Sequence, residues 1–166
     1  MTTQRAQQVI DIPGLTESKI RLDRLVWAAI GRFSDGDSTG ASELLERAMP
    51  GSVSLDPHPQ SVYYLALLTK SRVLEEKDQA TITAALENGR AVAKRVQEQG
   101  WGTGDVDYAM AALAAADGDV PQALGHLQDA VSQGWRSYLF ANNDPAMASL
   151  LEVEAYQTLI RQMEEM

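Results

Sequence analysis

The feature that most constrains the fold of this chain is an internal repeat. Residues 27–49, WAAIGRFSDGDSTGASELLERAM, align with residues 109–131 at a constant offset of 82 positions, and seven of the 23 pairs are identical. The identical pairs are turn residues, alanines and one leucine: Ala29/Ala111, Asp35/Asp117, Gly36/Gly118, Asp37/Asp119, Ala41/Ala123, Leu45/Leu127 and Ala48/Ala130. Repeated units need the same residues where they turn and where they pack closely, so the chain is predicted to contain one structural unit at least twice.

Each copy is predicted to be a pair of helices joined by a tight turn. In the second copy, Gly118 ends the first helix because glycine adopts the left-handed conformation without steric cost. Asp119 can cap the next helix, and Pro121 suits its first turn. The second helix then has an apolar stripe at spacings of four and three residues, Ala123, Leu127 and Ala130. Small residues on this stripe allow a neighbouring helix to approach closely.

On these residues the chain resembles the tetratricopeptide repeat (TPR) family, whose motif is a helix–turn–helix of about 34 residues. The matching positions are Ala29, Gly36, Ala41, Leu45 and Ala48, and then Ala111, Gly118, Ala123, Leu127 and Ala130. Three positions depart from the motif. The first copy has Leu25, Arg32 and Val53 in place of its early aromatic residue, its tyrosine and its closing proline. The second copy has Asp107, Ala114 and Trp135 at these positions. The resemblance implies an all-α fold, a right-handed superhelical stack of about three TPR-like helical hairpins with a C-terminal capping helix pair.

The repeat and the resemblance also set the expected boundaries of the domain and its hairpins. A length of 166 residues fits one domain with a real core. We expect a flexible arm or linker at residues 1–15, then one domain at 16–166 with hairpins at about 16–49, 61–99 and 105–133. Residues 51–60 form a predicted loop with two prolines, and Asp78 is the predicted cap of the helix at 80–99. The tail at 144–166 starts with Asp144-Pro145 and covers the open end of the stack.

The tail also resembles the C-terminal TPR regions of bacterial regulators and multidomain enzymes. The segments that carry this resemblance are QGWRSYL, NDPAMASL and YQTLI. It leaves open whether the chain is a full-length protein or an excised domain.

Composition limits the function classes. The net charge is −9, and residues 101–166 hold 10 acidic side chains but only two basic ones, Arg136 and Arg161. Nucleic acid is therefore not an expected partner, because its binding needs clustered lysine and arginine. The acidic third either attracts a basic partner or is a solvated face. No apolar run suggests a membrane span or a secretory signal. We expect a cytoplasmic protein, with a periplasmic location open because the absence of cysteine does not fix the compartment.

No pattern points to catalysis. His58 and His126 lack the spacing of a metal site and are expected to be structural, so no metal or cofactor is predicted. The glycine-rich segment at 100–104 follows a helix, whereas phosphate-binding loops of that kind follow a strand, so it is expected to be a linker covered by Trp101. The aspartates that flank Gly36 and Gly118 are expected to be helix caps. The sequence predicts a protein that is not an enzyme.

The remaining candidate is a binding groove. In TPR-like stacks the first helix of each hairpin lines the concave face, and the resemblance then implies a partner site made of Ile30, Phe33, Tyr63, Leu67, Lys70 and Tyr108. Its aromatic rings can hold an apolar anchor and Lys70 a carboxylate. The alternative is that several of these residues are core. We expect a protein–protein interaction module, an adaptor or regulatory scaffold with a protein or peptide partner; the alternative is a small-ligand sensor that signals to an effector. Trp101, Trp135 and Phe140 leave open a monomer or a homodimer.

Overall fold

The computed structural model describes residues 17–48, 57–101 and 104–166. Within these ranges the chain forms helices and no strand, which confirms the all-α class. In chain order the elements are α1 (Glu17–Ser34), α2 (Ser38–Ala48), α3 (Pro59–Leu74), α4 (Gln79–Glu98), α5 (Asp105–Ala116), α6 (Val120–Ser132), α7 (Tyr138–Asn143), a 3₁₀ helix (Pro145–Leu150) and α8 (Glu154–Glu165).

The two repeated units fold alike at the positions where their sequences agree. Gly36 and Gly118 have φ values of 77° and 80°, the left-handed conformation predicted for the turn. Asp37 accepts a hydrogen bond from the backbone N–H of Gly40 (2.8 Å), and Asp119 accepts one from Gln122 (3.2 Å), so both aspartates are helix caps. The shared small and apolar residues whose side chains the structure describes are fully buried: Ala29, Ala41, Leu45, Ala111, Ala123, Leu127 and Ala130.

The central pair, α3 and α4, has the boundaries that its caps dictate. Asp78 caps α4 as predicted, accepting from the backbone N–H of Thr81 at 2.8 Å. The loop expected to run to residue 60 ends earlier, because Pro59 is the first residue of α3, where a missing N–H costs nothing. His58 precedes it and caps the helix through Nδ1, which accepts from the backbone N–H of Gln60 (3.1 Å).

Helix α3 lies at the centre of the packing. It contacts α1, α2, α4 and α5, and for this reason residues 61–69 are buried on every side of the helix. Its last turn is held by Arg72, which donates to the Glu46 carboxylate of α2 (2.8 Å) and to the Thr81 carbonyl of α4 (2.8 Å). Val73 is 38% exposed because it lies in this last turn beside exposed Leu74.

The tail at 144–166, where a helix pair was expected, consists of the 3₁₀ helix and α8, and the short helix α7 precedes it. The 3₁₀ helix packs against α1, α3 and α5, the first helices of the three pairs, while α8 packs against α6 and α7. Met147 and Leu150 of the 3₁₀ helix are fully buried. The tail therefore packs on α6 through α8, and its 3₁₀ helix covers the face on which the first helices meet.

Several predictions fall on residues outside the described ranges. They concern the arm at 1–15, the loop at 51–56, and the middle of the glycine-rich segment at 102–103. Among the described helices, none combines the length and the apolar character needed to cross a lipid bilayer.

Candidate functional site

The face shared by α3 and α5 contains a buried carboxyl group, Asp144, which is 3% exposed. Its Oδ1 accepts a hydrogen bond from the hydroxyl of Tyr63 (2.6 Å), and its Oδ2 accepts one from the hydroxyl of Tyr108 (2.5 Å). Oδ1 also accepts from the backbone N–H of Ala146 (2.9 Å), so the same side chain caps the 3₁₀ helix. Asp144 thus fastens the tail to two helices that precede it by 81 and 36 residues.

Burial dominates the electrostatics of this group. Loss of water raises the pKa of Asp144 above its ordinary value, although the hydrogen bonds from Tyr108, Tyr63 and Ala146 oppose the rise. Desolvation and the adjacent carboxylate also raise the pKa values of Tyr63 and Tyr108 far above the ordinary tyrosine value. Neither hydroxyl loses its proton near neutral pH, so both remain hydrogen-bond donors and the arrangement is structural in character.

Aromatic rings enclose this carboxyl group. The ring of Tyr108 stacks on Trp135 with centroids 4.2 Å apart, and Tyr63 lies 6.5 Å from Tyr108. Phe140 of α7 contacts both tyrosines, at 5.9 and 5.8 Å. Trp135, Phe140 and the 3₁₀ helix all belong to the segment 135–150, so the chain itself fills the face that was expected to receive a partner.

The predicted groove residues are consequently divided between core and periphery. Tyr63, Leu67 and Tyr108 are 4%, 0% and 5% exposed and lie within the core. Ile30, Phe33 and Lys70 are half-buried, and the two apolar residues pack against the core. Burial lowers the pKa of the Lys70 ammonium group. The assignment of all six residues to a partner site stays a prediction, and the structure leaves three of them with substantial exposed surface.

An exposed apolar patch lies beside the covered face. Trp27 of α1 is 56% exposed and Leu139 of α7 is 67% exposed. Phe140, which is half-buried and directly follows Leu139 in the chain, meets the Trp27 ring edge-on with centroids 5.9 Å apart. We call Trp27, Leu139 and Phe140 the Trp27 rim. Sequence reasoning named Phe140 but missed Trp27, whose signal was its place outside the apolar stripe of α1.

The other aromatic residues singled out from the sequence are accounted for within the fold. Trp135 is buried, at 7% exposure. Trp101 is 41% exposed and packs edge-on against His58 with centroids 5.0 Å apart. Its ring thus lies beside the residue that caps α3, and its expected role as a cover of the glycine-rich segment stays a prediction.

An open cleft of about 370 Å³ lies between α6 and α8. Four of the six residues that line it have polar side chains, although apolar atoms supply most of its surface: Gln128, Glu154, Ala155, Thr158, Leu159 and Gln162. Such a cleft offers hydrogen-bonding groups to a small polar molecule, although it does not enclose one. It was not anticipated from the sequence because the contact between α6 and α8 joins residues about 30 positions apart in the chain.

Comparison of the chain with models of known protein families, with curated proteins and with solved structures gave no match. The arguments for function therefore come from the residues and their geometry.

Proposed function

We propose that this chain is a non-catalytic protein–protein interaction module with a TPR-like architecture, acting as an adaptor or a regulatory scaffold. Three helix pairs, α1–α2, α3–α4 and α5–α6, follow one another, and each first helix packs against the next first helix. That succession supports a superhelical stack of TPR-like hairpins. Helix arrays of this kind present extended surfaces built from successive repeats, and these surfaces serve binding.

The observation that carries the proposal is the Trp27 rim. Two large apolar side chains, Trp27 and Leu139, are more than half exposed although 38 other hydrophobic residues of the described chain are buried. Tryptophan is prominent among residues that dominate binding energy at protein interfaces, because its large ring loses much contact with water on association. The rim joins α1 to α7, so a partner seated on it would contact the edge of the face that the first helices share.

The half-buried groove residues extend this surface. Ile30 lies one turn after Trp27 on α1, and side chains three residues apart share one face of a helix. Phe33 follows by another turn. A partner that places an apolar side chain against Trp27 and Ile30 therefore gains contact without displacing Tyr63, Leu67 or Tyr108.

The charge distribution favours a basic partner. Residues 101–166 carry ten acidic and two basic side chains, while the rim itself consists of uncharged residues. Complementary charge around an apolar contact increases the association rate and makes it sensitive to salt. The proposed partner is therefore a protein segment with an apolar anchor flanked by lysine or arginine.

The test measures the affinity of a purified partner directly. A protein captured on the immobilised chain is identified, produced separately and titrated against the wild type by isothermal titration calorimetry. The double variant Trp27→Ala and Leu139→Ala is expected to weaken binding at least tenfold, which is about 1.4 kcal/mol. Leu74→Ala, at an exposed site on α3, is the matched control and leaves the affinity unchanged.

Circular dichroism shows whether each variant is folded. Equal affinity of a folded double variant and the wild type would exclude the rim as the partner surface. Concentration-dependent sedimentation of the wild type alone, abolished in the double variant, would instead identify the partner as a second copy of the chain.

The cleft between α6 and α8 favours a second candidate function, a small-ligand sensor that signals to an effector. A ligand that binds only the folded state raises the melting temperature. A panel of small polar metabolites is therefore screened by thermal melting, and a hit is repeated with Thr158→Ala, which removes a hydroxyl from the cleft wall. A shift that this variant abolishes would support the sensor, and no shift across the panel would count against it.

A further inference from the structure

A cluster of metal-ligating side chains lies on the α5–α6 pair of the described chain. It consists of Asp107 on α5 and of His126 and Asp129 on α6. One ligand atom from each residue can be chosen so that all three lie within 4.8 Å of one another. His126 and Asp129 are three residues apart on one helix, which places them on the same face. Asp107 reaches them from the neighbouring helix.

We propose that Asp107, His126 and Asp129 form a binding site for a divalent transition-metal ion of the zinc class. An imidazole nitrogen with two carboxylate oxygens is a donor set suited to zinc, whereas calcium and magnesium prefer sites made of oxygen alone. The two carboxylates also balance the double positive charge of the ion. Three protein ligands leave a fourth position for water or an external ligand, as in open zinc sites.

The distances permit coordination with small side-chain movements. Bonds of about 2.0–2.1 Å in a tetrahedral zinc site place neighbouring ligand atoms roughly 3.4 Å apart. Ligand atoms that lie within 4.8 Å of one another therefore need to converge by at most about 1.4 Å. Asp129 is exposed and His126 and Asp107 are half-buried, so side-chain rotation can supply this movement without a change in the helices.

A hydrogen bond restrains the carboxylate of Asp107. The Nε2 of Gln133, the residue that follows α6, donates a hydrogen bond to Oδ2 of Asp107. A carboxylate has two oxygens, so Asp107 can keep this bond while its other oxygen contacts the ion. Hydrogen bonds of this kind fix the direction of a ligating carboxylate. Gln133 therefore acts as a positioning residue.

The internal repeat provides a comparison within the chain. At the offset of 82 residues, the positions of Asp107, His126 and Asp129 are occupied in the first pair by Leu25, Leu44 and Arg47. All three ligand positions thus lie outside the identical pairs that maintain the fold. The first pair has no metal-ligating side chain at any of them, so the fold does not require this donor set.

The test is a zinc chloride titration of the chelator-treated full chain by isothermal titration calorimetry. We expect saturable binding of one ion per chain, and at least tenfold weaker binding by His126→Gln and by Asp129→Asn. The control is His58→Asn, which changes the only other histidine and retains a capping side chain before α3. It is expected to bind zinc like the wild type.

Nuclear magnetic resonance of the imidazole groups assigns the site independently of the variants. Zinc should shift the ring signals of His126 and leave those of His58 unchanged. The proposal is overturned if the wild type shows no saturable zinc binding, if a folded His126→Gln variant binds as tightly, or if calcium displaces zinc at equal concentration. The last result would describe a diffuse acidic surface.

Discussion

Removal of the hydroxyl groups that hold Asp144 tests how the tail is fastened. Tyr108→Phe keeps the ring, and with it the stacking on Trp135, but deletes the donor to Asp144 Oδ2. Hydrogen bonds to charged groups contribute about 1.5–3 kcal/mol. We expect each of Tyr63→Phe and Tyr108→Phe to lower the free energy of unfolding by that amount, since the carboxylate remains buried with fewer donors.

Substitution of Asp144 itself separates the carboxylate from its neighbours. Asp144→Ala leaves two buried tyrosine hydroxyls without their acceptor, at about 1–3 kcal/mol each, and removes the cap of the 3₁₀ helix, at about 1 kcal/mol. Asp144→Asn retains the shape and an acceptor oxygen and avoids burial of a charge. It is therefore expected to cost clearly less than the alanine variant.

Urea denaturation followed by circular dichroism measures these differences. Because Asp144 joins both tyrosines, the double variant Tyr108→Phe with Asp144→Ala should lose less stability than the sum of the two single variants. A free energy of unfolding within about 0.5 kcal/mol of the wild-type value for the single tyrosine variants would refute the reasoning, because a difference of that size is ordinary for a surface substitution. Strict additivity in the double variant would refute the direct coupling.

The raised pKa of Asp144 makes the free energy of unfolding depend on pH. The folded state takes up a proton at a higher pH than the unfolded state, whose Asp144 titrates near 3.8. The stabilising contribution of this group is therefore fully present below the unfolded pKa and is lost as the pH rises through the folded pKa. The wild type should gain stability relative to Asp144→Asn as the pH falls from neutrality to the unfolded value near 3.8. A constant difference between the two proteins over that range would contradict the raised pKa.

Two further changes probe the fold. Gly104→Ala should destabilise the chain by more than about 1 kcal/mol, because Gly104 has φ of 83° and a Cβ there would lie 2.9 Å from the Ala130 carbonyl oxygen. Thermal melting measures this loss, and an unchanged melting temperature would show that the junction before α5 is not tightly packed. Leu45 and Leu127 are fully buried at equivalent positions of the two repeated units. Replacement of either by alanine should lower the free energy of unfolding by about 2–5 kcal/mol, measured by urea denaturation. A loss below about 1 kcal/mol for either variant would contradict equal burial in both units.

The elements of the fold were predictable because their signals are local. Gly118 specifies a left-handed turn, Asp78 specifies a cap, and each acts on residues at most a few positions away. The start of the tail at Asp144-Pro145 was also predicted, since aspartate before proline favours the beginning of a helix. The short helix α7 was not predicted, and it has no side-chain cap that the sequence would reveal.

The buried carboxyl site could not be predicted, because it depends on residues that are distant in sequence. Tyr63 and Tyr108 were predicted to line a partner-binding face, with the core as the alternative, and both are buried. The sequence did not indicate that both hydroxyls would meet the helix cap Asp144, which already had a complete local explanation. A side chain that satisfies a local rule gives no sign of a second, long-range role.

The internal repeat separates residues that maintain the fold from residues that are free to serve binding. Ala29 and Ala111 are identical and equally buried, whereas Trp27 is 56% exposed and its counterpart Ala109 is 2% exposed. The Trp27 rim thus arises at a position where the two units differ. The proposed metal ligands also lie at differing positions, Asp107 opposite Leu25 and His126 opposite Leu44. Because identical positions already account for turns and close packing, positions where the units diverge are the ones at which substitutions should change binding while the fold persists.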